Sequence, residues 1–208
     1  MDRDTAIQRI QRGLGFRTDL SSEIALAMQE QQRLLELGKT LPWFLLQEDA
    51  TLTLPIATRS VNLPTGFIRM EDEGFFYTST EDGEIEVIRR PYAEARDFYA
   101  DRDAGGPEAY SLRKTSFYFF PEPDAEYLLT YSYYEKAEVL TTNVENAWLE
   151  YAPDVLIGAA GVSIATDVRD ATAVQTFTAL YTVGMNALMA EIAAREENNM
   201  PRALGRNN

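Results

Sequence analysis

Carboxylates are the side chains of this sequence whose spacing could support chemistry. Glu150 and Asp154 lie four residues apart and could share a helix face, and Asp167 and Asp170 follow further along the chain. Carboxylates at such spacings can bind a divalent metal ion or divide the roles of general acid and general base. They are more often found on a solvated helix surface, and Asp170 could equally cap the helix that follows it. They support only an alternative hypothesis, a carboxylate-dependent metal-binding hydrolase.

The sequence lacks two side chains that enzymes use often near neutral pH. None of its 208 residues is histidine or cysteine. Without histidine the chain loses the usual near-neutral acid or base and the commonest metal ligand. Without cysteine it can form neither disulfides nor thiolate zinc sites. We therefore predict that the protein is not an enzyme and has no catalytic residue, no metal site and no cofactor.

Three further motifs that could bind a ligand have simpler structural explanations. Gly13-Leu14-Gly15 is a fragment of a phosphate-loop pattern without a preceding strand or a following lysine, and it is typical of a helix end. The pairs Arg89-Arg90 and Arg113-Lys114 could touch DNA or an acidic partner, but they are more typical of solvated strand ends. Aromatic residues in strands could stack bases or sugars, but they more often pack in a core or between subunits. The aromatic set comprises Phe75, Phe76, Tyr77, Phe117, Tyr118, Phe119, Phe120, Tyr131, Tyr133 and Tyr134.

The charge of the chain limits the partners that it can have. Its formal net charge is −14. This argues against a surface that grips nucleic-acid phosphates, because such a surface needs clustered lysine and arginine. The N-terminus is charged and lacks the apolar segment of a signal peptide, and no continuous apolar run approaches the ~18 residues of a membrane span. We expect a soluble protein without a membrane partner, and a DNA-contacting regulator is an unfavoured third hypothesis.

Helical periodicity predicts helices towards both ends of the chain. Apolar residues recur three and four apart near the N-terminus, and again over residues 21–37. Pro153 is expected to begin or kink a helix in which Gly158 and Gly161 allow another backbone to approach closely. A long amphipathic helix is expected over residues 171–195.

Alternating side chains and turn residues predict strands in the middle of the chain. Residues 75–79 and 84–90 flank Glu81-Asp82-Gly83, which predicts a hairpin. Residues 116–120 and 127–134 predict a second hairpin, because they flank a proline-rich turn. A short helix is expected between the two hairpins, over residues 91–100.

The helical and strand signals segregate by region, which predicts a fold class and a domain organisation. The predicted fold class is α+β, a helical bundle from the N- and C-terminal helices with an inserted β-rich region of antiparallel hairpins. Residues 1–42 and 141–197 would form the bundle, and residues 43–140 the insertion. Residues 198–208 contain proline, glycine and two arginines without an acid, which predicts a flexible C-terminal tail.

Motifs that combine proline or glycine with large aromatic residues recur along nearly the whole chain. In this order they resemble the head-to-tail adaptor (connector) proteins of tailed bacteriophages, a family related to the tail tubular and adaptor proteins of short-tailed phages. No single motif is diagnostic, but the ordered set is fairly specific. The matching blocks are Leu41-Pro42-Trp43-Phe44-Leu45-Leu46, Ser60-Val61-Asn62-Leu63-Pro64, Gly66-Phe67-Ile68-Arg69, Gly106-Pro107, Ala109-Tyr110-Ser111-Leu112, Phe120-Pro121-Glu122-Pro123-Asp124, Tyr131-Ser132-Tyr133-Tyr134, Glu145-Asn146-Ala147-Trp148-Leu149, Ala152-Pro153-Asp154, Ile164-Ala165 and Arg169-Asp170.

The resemblance implies a structural protein of the virion neck or tail, made in the cytoplasm of the bacterial host. It implies a homo-oligomeric ring of about twelve copies that binds the portal protein on one side and the tail nozzle protein on the other. DNA would pass through the lumen of this ring without sequence-specific binding. The acidic composition is consistent with that role, because an acidic lumen repels phosphates and lets DNA slide.

The resemblance also suggests that terminal segments reach onto the portal, which makes the C-terminal tail the candidate docking segment. From the residues alone, such a tail can equally be idle or become ordered on a neighbouring acidic surface. The candidate docking residues are Asn198, Asn199, Met200, Pro201, Arg202, Ala203, Leu204, Gly205 and Arg206.

Overall fold

The computed structural model describes residues 1–71, 74–79, 83–141, 144 and 146–199. The chain divides into two compact units. Residues up to Leu45 and from Ala137 onward form the helical unit, and Leu46–Lys136 forms the sheet unit.

The described residues form α-helices, strands and two short 3-10 helices, Thr18–Leu20 and Trp43–Leu45. The helices and strands, in chain order, are α1 (Arg3–Gly13), α2 (Ser21–Glu36), β1 (Leu46–Leu54), β2 (Ser60–Asn62), β3 (Phe67–Met70), β4 (Phe75–Ser79), β5 (Gly83–Arg89), α3 (Tyr92–Phe98), β6 (Ala109–Arg113), β7 (Ser116–Phe120), β8 (Tyr127–Glu135), α4 (Ala147–Tyr151), α5 (Pro153–Asp167) and α6 (Ala171–Asn199).

Helix α5 is the core of the helical unit. It carries no charge between Asp154 and Asp167, and most of its side chains are buried. Helices α1, α2, α4 and α6 all pack against it. A helix that is apolar on every side must be covered on every side, which explains why the other helices surround it. The predicted start of this helix at Pro153 is confirmed.

The sheet unit contains one eight-stranded sheet in the order β1-β8-β4-β5-β6-β7-β2, with β3 also paired to β8. Strand β8 is its centre, because β1 lies along one edge of β8 and β3 and β4 share the other. Leu46 at the start of β1 pairs with Tyr134 near the end of β8. The strands run antiparallel except for β5 and β6, which are parallel.

The predicted fold class was wrong. The middle of the chain is not a set of inserted hairpins on a helical bundle but a large, curled, eight-stranded mixed sheet, so the protein is a mixed α/β chain. The hairpin between residues 75–79 and 84–90 is confirmed as β4 and β5, although its turn residues Glu81 and Asp82 lie outside the described residues. The sheet arises from pairs that are distant in sequence, such as β1 with β8, and local turn signals do not encode these pairs.

The second predicted hairpin was also wrong. Strands β7 and β8 both form, but β7 pairs with β6 and β2, whereas β8 pairs with β1, β3 and β4. The turn that organises β7 lies on its other side, at Lys114 and Thr115, where Lys114 has a φ of 54°. The β6–β7 hairpin satisfies the backbone of β7 locally, which leaves β8 free to pair with the distant β1.

Candidate interaction surfaces

The carboxylates that the sequence singled out lie near two helix junctions of the helical unit, α4–α5 and α5–α6. Asp154, in the first turn of α5, forms an ion pair with Arg9 at 2.7 Å. Glu150 is exposed on α4, and Asp167 is exposed at the end of α5. Asp170 caps α6, because its Oδ1 accepts the backbone N–H of Ala173 at 2.9 Å. Among the described residues, no group of three or more Asp or Glu side chains lies close enough together to hold a metal ion.

The glycines of Gly13-Leu14-Gly15 have structural roles. Gly13 ends α1 directly against the ring of Phe177, where a Cβ atom would overlap the ring. Gly15 has a φ of +71°, a left-handed conformation that glycine adopts at little cost. These residues therefore terminate α1 and let it approach α6.

Most of the aromatic set forms the core of the sheet unit. Phe75 is fully buried and makes edge contacts with Tyr110, Phe117 and Phe119, with ring centroids 4.9 to 5.0 Å apart. Burial also raises the pKa of Tyr131 to about 12. Phe75, Phe117 and Phe119 are fully buried and pack against one another, so none of these three rings offers a face on which a base could stack.

The basic pairs lie at the ends of two strands in the sheet unit. Arg89 and Arg113 are the last residues of β5 and β6. Arg90 donates to Glu94 at 2.9 Å, and the Arg113 guanidinium lies 4.6 Å from the centroid of the Tyr92 ring. Arg90 and Arg113 are therefore held by their own neighbours in the sheet unit.

A buried polar network joins α2 to Ala137 and to the start of α4. The Glu36 Oε1 atom accepts hydrogen bonds from Gln32 Nε2 at 2.9 Å, from the Ala137 N–H at 3.1 Å and from Trp148 Nε1 at 3.3 Å. Asn146 donates to Gln32 Oε1 at 3.1 Å, and its own Oδ1 caps α4. Glu36 is only 5% exposed, so each of these bonds satisfies a group that is shielded from water. Sequence reasoning missed this network because the α2 residues lie more than 100 residues from Ala137, Asn146 and Trp148.

An aromatic cluster lies beside the last turns of α6. Phe44 stacks on Tyr151 with ring centroids 5.4 Å apart and makes an edge contact with Trp148 at 5.1 Å. Trp43 packs edge-on against Phe44. The Arg195 guanidinium lies 4.0 Å from the centroid of the Trp43 ring. This cation–π contact secures α6 shortly before the described chain ends.

Helices α5 and α6 approach each other very closely, as the glycine spacing predicts. A Cβ atom on Gly158 would lie 2.6 Å from the backbone nitrogen of Tyr181. Gly161 lies against the ring of Phe177, and a Cβ atom on Gly184 would lie 3.0 Å from the backbone nitrogen of Val155. The predicted close approach of a backbone is confirmed at Gly158, whereas Gly161 faces a ring, and Gly184 adds a second backbone contact that was not predicted.

The outward side of α6 is exposed and carries no charge over most of its length. No Asp, Glu, Lys or Arg occurs between Asp170 and Glu191. Over Ala171–Arg195 the helix is long and apolar enough to cross a membrane, by length and composition alone. Only 17% of its most apolar 18-residue stretch is buried. We call its outward side the neutral face. Its exposed residues include Thr172, Gln175, Thr176, Ala179, Val183 and Asn186.

An uncharged groove of about 530 Å³ lies between α2, α5 and α6. We call it the α2–α5–α6 groove. None of the side chains that line it is charged. Leu34 on its α2 side is 55% exposed, although leucine is an apolar residue. Its lining includes Gln31, Leu34, Leu35, Val162, Ser163 and Tyr181.

The candidate docking segment falls largely outside the described residues. Asn198 and Asn199 are the last residues of α6, and residues 200–206 lie beyond the described chain. The assignment of residues 198–206 to portal docking is untested and stays a prediction.

The chain matches a family model over almost its full length. The model described as SU10 adaptor protein matches residues 1–206. No curated protein matches the chain. Because the match includes the helical unit and the sheet unit, it concerns the whole architecture rather than a single motif.

Proposed function

The chain belongs to the SU10 adaptor protein family, a family of structural bacteriophage proteins, and on this premise we propose that it forms a ring that joins the portal to the tail. It is a virion component. The match over residues 1–206 is the observation that carries the proposal, because it includes every element described above.

The proposed ring contains about twelve copies related by a closed rotational symmetry. Such a ring needs two different patches on each subunit, because every copy contacts one neighbour through each patch. The neutral face and the α2–α5–α6 groove are two such patches, and both belong to the helical unit.

The ring would also form part of the channel through which DNA leaves the head. A chain with a net charge of −14 repels phosphates, so DNA would pass through without sequence-specific binding. At two of the strand ends, Arg90 is ion-paired with Glu94 and the Arg113 guanidinium lies over the Tyr92 ring, which makes these two cations less available to phosphates.

The proposed partners are the portal protein on one side and the tail nozzle protein on the other. Residues 198–206 are the proposed portal-docking segment, and Arg202 and Arg206 would pair with acidic residues there. We also propose a relation to the adaptors of short-tailed phages and synthesis in the cytoplasm of the bacterial host before assembly.

We further propose that the chain has no catalytic activity of its own. The alternative, a carboxylate-dependent metal-binding hydrolase, is not favoured by any of its candidate residues. Asp154 is ion-paired with Arg9, and Asp170 is occupied as the cap of α6.

The decisive experiment combines the purified chain with the portal ring of the same phage and examines the mixture by mass photometry and electron microscopy. We expect a second ring, stacked on the portal, with a mass of about twelve subunits. A chain that stays monomeric in the presence of the portal and does not bind it would refute the proposal.

The docking segment has a separate test. A chain that ends at residue 197 should keep its helical content and melting temperature but bind the portal ring at least about tenfold more weakly. Unchanged portal affinity would remove the docking role from residues 198–206 and leave the ring itself in place.

A further inference from the structure

We propose that the neutral face of α6 in one subunit packs into the α2–α5–α6 groove of the next subunit. This assignment rests on the proposed ring and identifies the two surfaces that would close it. The neutral face and the groove both belong to the helical unit.

The neutral face is unusual for a surface of this chain. A quarter of all residues are charged, so a run as long as that between Asp170 and Glu191 would be expected to carry about five charges, and it carries none. Val183 is 67% exposed and Met189 is 43% exposed on this helix. A solvated helix normally places charges opposite its buried side, so the lack of charge here indicates a face that is covered in the assembly.

Two threonines on the exposed side of α6, Thr176 and Thr182, are less polar than their side chains suggest. The Thr176 hydroxyl donates to the carbonyl oxygen of Thr172 at 3.0 Å, and the Thr182 hydroxyl donates to that of Thr178 at 2.8 Å. Because each hydroxyl is satisfied within the helix, a covering surface need not supply an acceptor for it. These positions can therefore be buried against an apolar partner at low cost.

The groove matches this face in chemistry and differs from it in shape. Its lining is uncharged, and Leu34 and Leu35 provide apolar surface along its α2 side. The exposed part of α6 is convex, and the groove is concave. A convex patch and a concave patch on one subunit are what a head-to-tail contact between identical copies requires.

Charge favours a second copy of the chain as the occupant. Two chains of net charge −14 repel each other, and they can associate closely only where neither surface is charged. The neutral face and the groove both meet that condition. A lipid bilayer fits less well, because the face also exposes Gln175 and Asn186, whose amides lipid cannot satisfy.

The contact can be tested by cross-linking, since the native chain contains no cysteine. Leu34→Cys and Val183→Cys are introduced together, and the assembled ring is oxidised. We expect a ladder of covalently linked subunits on a denaturing gel. The matched control pairs Val183→Cys with Leu26→Cys, since Leu26 is also on α2 and is 57% exposed but does not line the groove; this pair should give at least about tenfold less product.

A charge substitution gives an independent readout. Val183→Glu should reduce the assembled fraction at least about tenfold, because a carboxylate would be buried without a partner. The matched control Leu26→Glu should assemble like the wild type. Circular dichroism and thermal melting check that both variants fold.

The outcomes separate this inference from the proposed function. If the wild type forms rings but Val183→Glu assembles equally well, or the Leu34–Val183 pair gives no ladder, the inference is overturned and the ring stands. If Val183→Cys cross-links to the portal protein instead, or if wild-type chain floats with phospholipid vesicles and Val183→Glu does not, the inference is also overturned. If wild-type chain neither assembles nor binds the portal, the proposed function itself fails.

Discussion

The guanidinium carbon of Arg195 lies 4.0 Å from the centroid of the Trp43 ring, so the last turns of α6 are tied to the 3-10 helix Trp43–Leu45. Arg195 also forms an ion pair with Glu191 one turn earlier, at 2.9 Å. The two contacts orient the end of the helix from which residues 200–208 continue.

Arg195→Ala should lower the free energy of unfolding by about 1 kcal/mol, since half-exposed cation–π contacts and ion pairs each contribute a fraction of that amount. Amide hydrogen exchange in the last turns of α6 should increase as well. Glu191→Gln is the control, because it removes the ion pair and keeps the contact with Trp43. Equal losses in both variants, measured by urea denaturation, would show that the Trp43 contact contributes nothing.

Gly158→Ala should destabilise the helical unit by about 1–3 kcal/mol. The new methyl group would lie 2.6 Å from the nitrogen and 2.7 Å from the Cα atom of Tyr181, and a backbone cannot move aside as a side chain can. Ala179→Ser adds one heavy atom on the neutral face of α6 and should change the melting temperature little. A Gly158→Ala chain as stable as the wild type would contradict the close α5–α6 contact.

Glu36→Leu should cost about 2–4 kcal/mol, because it leaves the Ala137 N–H and the Trp148 Nε1–H without an acceptor, whereas Gln32 Nε2 keeps the carbonyl oxygen of Ala137 at 3.2 Å. Glu36→Gln retains one oxygen for the same donors and should recover most of the loss. In a Trp43→Phe background, where Trp148 is the remaining tryptophan, fluorescence during denaturation reports on the site. If glutamine is as destabilising as leucine, the negative charge rather than the hydrogen bonding of Glu36 stabilises the network.

Stability should fall as the pH rises from about 10 to 12. Burial, the charge of Tyr133 and that of Glu135 raise the pKa of Tyr131 to about 12 in the folded chain. Over this interval the unfolded chain releases the tyrosine proton and the folded chain retains it, so the linkage favours unfolding. Tyr131→Phe should make the urea midpoint fall less steeply above pH ~10, and the remaining fall would come from other tyrosines such as Tyr127, whose pKa is also raised to about 12. An unchanged slope would show that Tyr131 does not contribute.

The helices could be predicted because their signals are local. The 3.6-residue periodicity before Gly13, over residues 21–37 and after Asp170 is set by residues within the same turn or the next. Helices α1, α2 and α6 accordingly form close to their expected bounds. The close helix contact at the glycines of α5 could also be predicted, because a glycine on an apolar helix leaves room for another backbone.

The pairing of the strands in the sheet could not be predicted from such local signals. Strands β7 and β8 were both expected, but which strand each would pair with depends on competition among partners that are far apart in sequence, as Leu46 and Tyr134 are. The candidate interaction surfaces could not be predicted from local signals either. The α2–α5–α6 groove is formed by three helices that are separated along the chain. The uncharged run of α6 can be identified as a surface only when the structure shows that most of it is exposed.

The pairing of Leu46 with Tyr134 means that the sheet unit is entered and left at neighbouring positions, about 5 Å apart across the two strands. An inserted domain whose two ends are adjacent can change in size or be replaced without changing the distance between the two points where it joins the rest of the chain. The sheet unit can therefore change in size while the helical unit keeps its form.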